Sequence, residues 1–522
     1  MPFKKKINTS IIFYLIIISI YSFFITFYYA DFGVFPIDTF LHYDAGYRIL
    51  KNEYPIKDYW IVTGFLVDFL QAIFFKVFGV SWFSYKIHSS TINLIVTIFS
   101  FYFFLNLNFN YLKSLIYSIC FATLGYTVSG TPFVDFHASF FLVLSTFAII
   151  IASNESNNKF FWFVSILLLF FSFLSKQVPI AYAAIIQGPI IISHFFIKKD
   201  FSNLRFTVLF SILLVIIFFA VLSILNINFS LFFSEYIQYP REIGSGRFDF
   251  FNISFESFFN KFKFILIPIV VCTFFQIRNY MIRKKSLNYN NLKNYLLILT
   301  LSLSLLFHQL MTKNQIFIYF LIPLLFGILD QNIDREVKRG KKYISLIIIA
   351  TLIFITFKYH LRFNETRKFH ELENVNFNQA IEADKIHASL KGNLWINAAY
   401  QGTPSEEIKL IKSSIKELEE INEEILLITN YLFIDSISKK NMNLPSKAFT
   451  LDGTTYPRLS SKMSIEYKNF LFKKIEKKKI NKIYFIKHEN LSQIMITEYI
   501  DKNCFKYSET EFLKIYEIKC LK

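Results

Sequence analysis

Ile11-Ile12-Phe13-Tyr14-Leu15-Ile16-Ile17-Ile18-Ser19-Ile20-Tyr21-Ser22-Phe23-Phe24-Ile25-Thr26-Phe27-Tyr28-Tyr29-Ala30 contains no charged residue. A helix rises ~1.5 Å per residue, so this run reaches ~30 Å, the thickness of a bilayer's hydrocarbon layer. Lys4, Lys5 and Lys6 stand before it. A cleaved signal peptide begins in the same way, but this run is too long and has no small-x-small cleavage site. It reads as a retained first helix with its N-terminus in the cytoplasm.

Working outward, further apolar runs lie near 84–107, 112–130, 134–153, 159–175, 178–197, 204–225, 262–280, 293–311, 314–330 and 342–358. With the first they predict about eleven spans. Alternate connections are basic: Lys198, Lys199 and Arg205; then Arg278, Arg283, Lys284, Lys285 and Lys293; then Arg335, Lys338, Arg339, Lys341 and Lys342. The positive-inside rule puts these in the cytoplasm, and an odd number of spans puts the chain from about residue 359 outside. Residues 64–79 are apolar but include Asp68, Gln71 and Lys76. Counting them as a span would invert every later loop, so they read as an amphipathic helix at the outer interface. The expected fold is an α-helical polytopic membrane protein: a membrane domain over 1–358, with outer loops 31–83 and 226–261, and a small extracytoplasmic α/β domain over 359–522.

Composition agrees with a membrane chain. Of the 522 residues 54% are hydrophobic and mean hydropathy is +0.40, more than a soluble core of this size requires. The 67 Phe residues accompany abundant Ile, Asn and Lys, as AT-rich coding produces, so Phe clusters carry no functional weight. The net charge of +18 resides mainly in interhelical connections, and no stretch interleaves bases with aromatics, so nucleic acid is not an expected partner.

The tail alternates strand and helix signals. Leu394–Ala398, Ile425–Thr429, Ile480–Ile486 and Leu513–Ile518 read as strands. Thr403-Pro404-Ser405-Glu406 has capping-box spacing with Pro at the first helical position, predicting a helix to about Ile421. A second helix is predicted over Ser461–Lys477, and Asp452-Gly453 reads as a turn. Cys504 and Cys520 are either a disulfide, worth about 3 kcal/mol for a loop of that length, or two free thiols. Cys120 and Cys272, inside apolar runs, read as small buried hydrophobes.

Charges gather just after the first run: Asp31, Asp38, His42, Asp44, Arg48, Glu53 and Asp58. A solvated loop explains most of them. It explains less well why Asp38, Asp44 and Arg48 stand among apolar and aromatic residues at near-helical spacing. His42 beside Asp38 and Asp44 has no diagnostic ligand spacing, so no metal is expected, and no cofactor motif is present.

The order of an apolar first helix, an acidic residue, Ala45-Gly46-Tyr47-Arg48, Asn52-Glu53-Tyr54-Pro55, an apolar helix ending Phe75-Lys76-Val77-Phe78-Gly79 and then a second span resembles the start of the GT-C superfamily of membrane glycosyltransferases. The branch it is most similar to is the bacterial one related to protein mannosyltransferases and aminoarabinose transferases. In that family an Asp-Glu pair follows the first span and its Asp is the catalytic base, which implies that role for Asp38; Thr39 stands where the family has Glu. Gly130-Thr131-Pro132-Phe133-Val134-Asp135-Phe136-His137 is similar to the family's second outer acidic site, which implies Asp135 as a second catalytic residue assisting Asp38 or orienting the acceptor, with His137 beside it. Leu174-Ser175-Lys176-Gln177-Val178-Pro179 resembles its Lys-containing turn. The likeness covers about the first 200 residues.

The resemblance implies an inverting glycosyltransferase of a bacterial inner membrane, moving sugar from a polyprenyl-phosphate carrier to an acceptor, in contact with membrane lipids. Such transfer needs a carboxylate to take the acceptor's proton and cations to hold the leaving phosphate. Lys176, Arg48, Arg241 and Arg247 are the candidate phosphate contacts, and His42, Asp44, Asp58 and His137 the accessory polar groups. Bland readings stand beside these: Asp38 as a helix cap, Asp135 and His137 as structural hydrogen-bonders, Lys176 as a snorkelling interfacial lysine, Arg241 and Arg247 as solvated loop residues. A transporter or lipid flippase is the rival of another class, and a membrane-anchored scaffold a third.

Overall fold

The computed structural model describes residues 9–155, 158–248, 254–283, 289–312, 318–337, 339–450, 452–489 and 498–520. Lys4, Lys5, Lys6, Lys284, Lys285 and Lys338, named above, lie outside that set. Eight helices among the described residues are long and apolar enough to cross a membrane. They are α1 (Thr9–Tyr29), α5 (Trp82–Asn106), α7 (Val134–Asn154), α9 (Ile180–Lys198), α10 (Phe201–Ile224), α13 (Phe255–Arg283), α14 (Tyr289–Thr312) and α16 (Lys341–Tyr359). Three shorter helices, α6 (Tyr111–Leu124), α8 (Lys159–Ser175) and α15 (Leu321–Glu336), of 14, 17 and 16 residues, pack in the same bundle.

Burial sorts the bundle. The apolar stretch of α7 is 100% buried, whereas that of α10 is 11% buried, so α7 is the axis and α10 a rim helix with an apolar outer face. Small polar side chains join helices where apolar surface alone cannot choose a partner. Asn93 on α5 donates to the Ser22 carbonyl, to Thr26 Oγ1 and to the Ala122 carbonyl, tying α1, α5 and α6 together with one amide. Lys113 meets Asp330 at one end of the bundle, as does Lys293 with Asn154. The basic turns at Lys198–Lys199 and Arg335–Lys342 belong to that same end, and the tail to the other.

At the tail end, residues 31–83 form short elements. Pro36–Thr39 (α2) and Leu41–Leu50 (α3) precede the amphipathic helix Phe65–Phe78 (α4), whose Asp68 and Gln71 point inward and are fully buried. The segment 226–261, expected to be a loop, is helical over Phe229–Phe233 (α11) and Tyr239–Phe248 (α12). Asn228 caps the first, while Pro240, Gly244 and Gly246 concealed the second by their poor helix propensity.

The tail carries a four-stranded sheet of Ile425–Ile428 (β3), Lys482–Ile486 (β4), Phe505–Glu509 (β5) and Leu513–Ile518 (β6) in the order β3-β4-β6-β5, with β3 and β4 parallel and the rest antiparallel. A separate pair joins Ile381–Glu382 (β1), too short for a periodic signal, to Leu394–Trp395 (β2), the first two residues of the expected strand Leu394–Ala398. Helix α17 (Pro404–Glu420) begins with the expected capping box, Thr403 and Glu406 bonding reciprocally. Residues Ile434–Ile437 form α18, one turn long, and α19 covers Ser464–Lys478. Cys504 and Cys520 form a disulfide with Cα atoms 5.1 Å apart, and Cys120 and Cys272 are free and buried.

The division at residue 359 is not a division in packing. Val34, Phe40, Tyr43, Trp60 and Trp82 belong to the same apolar core as Trp395, Ile411, Leu427 and Phe433 of the tail. Backbone bonds cross the seam: Gly33 N–H to Leu394 O, Val34 N–H to Ile396 O, and Trp60 N–H to Pro445 O, each 2.9 Å. Arg367 fastens it from below, donating to the carbonyls of Phe32, Thr127, Val128 and Ser129 at 2.8–3.2 Å. Gly130 permits this, because at φ +72° a Cβ there would lie 2.8 Å from Ala30 Cα and 3.1 Å from Arg367 Nη2. Replacing Arg367 by Ala strands four carbonyls and is expected to cost about 3 kcal/mol or more. Thermal unfolding of the detergent-solubilised protein checks this, and an unchanged midpoint would show that the carbonyls find other donors.

Candidate active site

Between the bundle and the tail lies a cavity of about 690 Å³. The polar side chains lining it come from separate pieces of chain: Asp38 from α2, Asp135 from the first turn of α7, Lys176 and Gln177 after α8, Arg241 and Arg247 from α12, His308 from α14, and Lys447, Thr454 and Thr455 from the tail. Leu41, Val62, Phe133, Phe173, Ile237 and Ile243 make its apolar wall. The cavity therefore offers one charged and one lipophilic side.

Asp38 is the unpartnered acid. Its helix is a single turn started by Pro36, and Thr39 Oγ1 accepts from Phe35 N–H at 2.9 Å and meets His370 Nδ1 at 3.2 Å. Thr39, where the resemblance expects Glu, is thus a fastener of this turn. The Asp38 carboxylate itself makes no hydrogen bond or ion pair among the described residues, so it is not a cap. Its oxygens keep contact with the cavity but sit deep inside the protein. That burial, with the negative charges of Asp135 and Glu371 nearby, pushes the carboxyl up to about 7 against the pull of Lys176.

Asp135 is the opposite case. Its Oδ1 receives Lys176 Nζ and His308 Nε2, both at 2.7 Å, and it sits in the first turn of α7, where a helix favours negative charge. One carboxylate therefore clamps α7, the end of α8 and α14. Arg241 is exposed and Arg247 half-buried, and neither makes an ion pair among the described residues.

Behind the cavity is a buried pair. Lys447 Nζ lies 2.6 Å from each oxygen of Asp68, and His42 Nδ1 lies 2.6 Å from Asp68 Oδ1. Burial drives the His42 imidazole well below its usual range, so it is neutral and donates its Nδ1–H. Burial also pushes the Asp68 carboxyl up to about 7, opposed by Lys447. Gly64, at φ +87°, makes the room: a Cβ there would stand 2.6 Å from Lys447 Nζ and 2.8 Å from His42 Cε1.

No protein-family model matches this sequence, and no curated protein matches it. The site's reading rests on its geometry.

The structure brings Asp38, Asp135, Lys176, Arg241 and Arg247 together, as expected, and removes the other candidates. Arg48 does not line this cavity. It is buried, 3.2 Å from Glu53, 3.6 Å from Asp44 and 4.0 Å from the centre of the Tyr59 ring, and it donates to the Leu444 carbonyl. Glu53 is its nearer partner, whereas burial raises the Asp44 carboxyl well above the usual carboxylate range. Asp58 accepts from Tyr54 N–H, away from the cavity. His42 holds Asp68, and His137 belongs to a buried chain, 2.5 Å from the Tyr126 hydroxyl and 3.0 Å from His88, which reaches Gln71. Packing, which spacing along the chain does not report, assigned all five to structure.

Asp68, noted only for the amphipathic character of residues 64–79, Lys447 and His308 are not among the candidate site residues of the sequence. A carboxylate on an apolar helix and a histidine within the run 293–311 were legible signals, since either must find a partner. Lys447 carried none, being one lysine in a lysine-rich tail. Among the described residues no three His, Cys, Asp or Glu side chains converge as a metal set.

Lys447→Met leaves Asp68 as an uncompensated buried acid and is expected to cost about 3–5 kcal/mol. Adding Asp68→Asn should recover much of that loss, and thermal unfolding of the two single variants and the double variant reads the coupling. Strict additivity would show that the pair is not a unit.

Proposed function

We propose that this protein is an inverting glycosyltransferase, using a sugar linked to a polyprenyl phosphate, on the outer face of a bacterial inner membrane. In this reading all eleven apolar helices span, the N-terminus and the basic turns face the cytoplasm, and the cavity and tail are extracytoplasmic. The observation that carries it is the Asp38 carboxylate: unpartnered among the described residues, elevated to about 7, and opposed across one cavity by Lys176, Arg241 and Arg247.

The acceptor hydroxyl attacks the anomeric carbon as the bond from that carbon to the phosphate oxygen breaks. Asp38 takes the hydroxyl proton, and the departing polyprenyl phosphate keeps the bond's electron pair. Arg241 and Arg247 hold that phosphate, bidentately where the fork allows, with Lys176 contributing charge from its place beside Asp135. Asp135 is a positioning residue here, since Lys176 and His308 already occupy it. The apolar wall suits the carrier's tail while the charged side meets the sugar phosphate. A single displacement of this kind inverts the anomeric centre.

Asp38→Asn is expected to lower transfer by about 10²–10⁴-fold with insertion and folding intact. Because the base must be ionised, the wild-type rate should rise with pH and level off above about 7, falling about tenfold per unit below it. Incubation of proteoliposomes with radiolabelled polyprenyl-phosphate sugars reads both. Full activity in the Asn variant defeats the assignment, and donor moved across the bilayer but never consumed favours a flippase instead.

A further inference from the structure

A second basin, of about 870 Å³, shares no lining residue with the candidate active site. One wall is a face of α19, where Lys473-Lys474 and Lys477-Lys478 repeat four positions apart and so fall on the same side of the helix. Lys51 and Lys57, from the turn after α3, complete six lysines against three acids, Glu53, Asp58 and Glu466. Of those acids Glu53 is already engaged by Arg48 at 3.2 Å and by Asn441 at 2.9 Å.

Like charges four apart on a helix repel, so this face costs stability unless something neutralises it. Lys473 and Lys477 are exposed and make no ion pair among the described residues, and Lys478 reaches Glu53 only at 4.0 Å. Lys474 differs from its neighbours. It is 9% exposed and donates to the backbone carbonyls of Asp58 (2.7 Å) and Leu444 (3.0 Å), fixing α19 against the opposite wall. The basin is therefore held open with its cations in place.

Its floor identifies the ligand's source. Asn226 and Leu231 line it, and Lys57 donates to the Leu225 carbonyl at the end of α10. There the rim helix and its continuation expose Ile224 (77%), Phe229 (48%) and Phe233 (43%), the surface this helix turns toward lipid. A lysine-lined basin at the edge of a lipid-facing apolar surface matches a molecule with an anionic head and acyl chains. We propose that this basin binds the phosphate headgroup of an anionic membrane lipid, independently of any transfer in the cavity described above.

Detergent-purified full-length protein titrated with short-chain phosphatidylglycerol, phosphatidylcholine and inorganic phosphate tests this. The anionic lipid should bind at least about tenfold more tightly than the zwitterionic one, and Lys473→Gln/Lys477→Gln/Lys478→Gln should lose about tenfold or more of that affinity. Lys409→Gln/Lys412→Gln/Lys416→Gln, which removes equal charge from α17, should keep it. The single exposed change Lys477→Gln, with a partial loss expected, guards against misfolding of the triple variant. Equal affinity for the two headgroups, or equal loss in the α17 variant, overturns the site. Inorganic phosphate binding as tightly as the lipid overturns the lipid assignment.

Discussion

Two charges buried against each other join the two halves of this molecule. Asp68 comes from α4 and Lys447 from the tail, and each contact between them is 2.6 Å. Neither group is tolerable inside the protein without the other, because desolvating an isolated charge costs several kcal/mol. The pair therefore specifies a docking position more than it adds stability. Trp60, paired with Pro445 and Lys447 through its backbone, sets the same register a few residues away. Thr454 and Thr455, on the same tail segment, are thereby placed at the rim of the cavity.

The same logic separates the two acids of the cavity. Asp135 lies in the first turn of the fully buried helix and has two partners, so it serves as a three-helix clamp. Asp38 lies on a one-turn helix fastened through Thr39, so the backbone is held while the carboxylate has no bond among the described residues. Environment alone distinguishes a structural carboxylate from one suited to proton transfer. The tail shares a core with the loops bearing Asp38, which explains how so short an element is kept in place.

Clusters of lysine deserve different readings at different places in this chain. At the turns of the far end they are spread among connections and follow the positive-inside pattern. On α19 they are concentrated by helical periodicity onto one face, beside an apolar rim, and held there by the buried Lys474. Composition cannot distinguish the two cases, since both draw on the same excess of lysine.

Sequence by itself determined whatever local periodicity encodes. The apolar runs became helices, Thr403 to Glu406 became a capping box, the four strand candidates formed paired strands, and the acids at 38 and 135 and the cation at 176 met. It failed where meaning depends on a partner far along the chain. Arg48 looked like a phosphate ligand because, although Asp44 stands four residues before it, spacing does not show the Tyr59 ring and the distant Leu444 carbonyl that enclose it. Lys447 looked like any tail lysine because Asp68 lies hundreds of residues earlier. Residues 239–248 looked like loop because glycine and proline weaken local helix signals that packing restores. Helix and strand formation are short-range and are written in spacing, whereas the choice between a paired and an unpaired charge is made only when distant segments meet, and only the tertiary structure decides it.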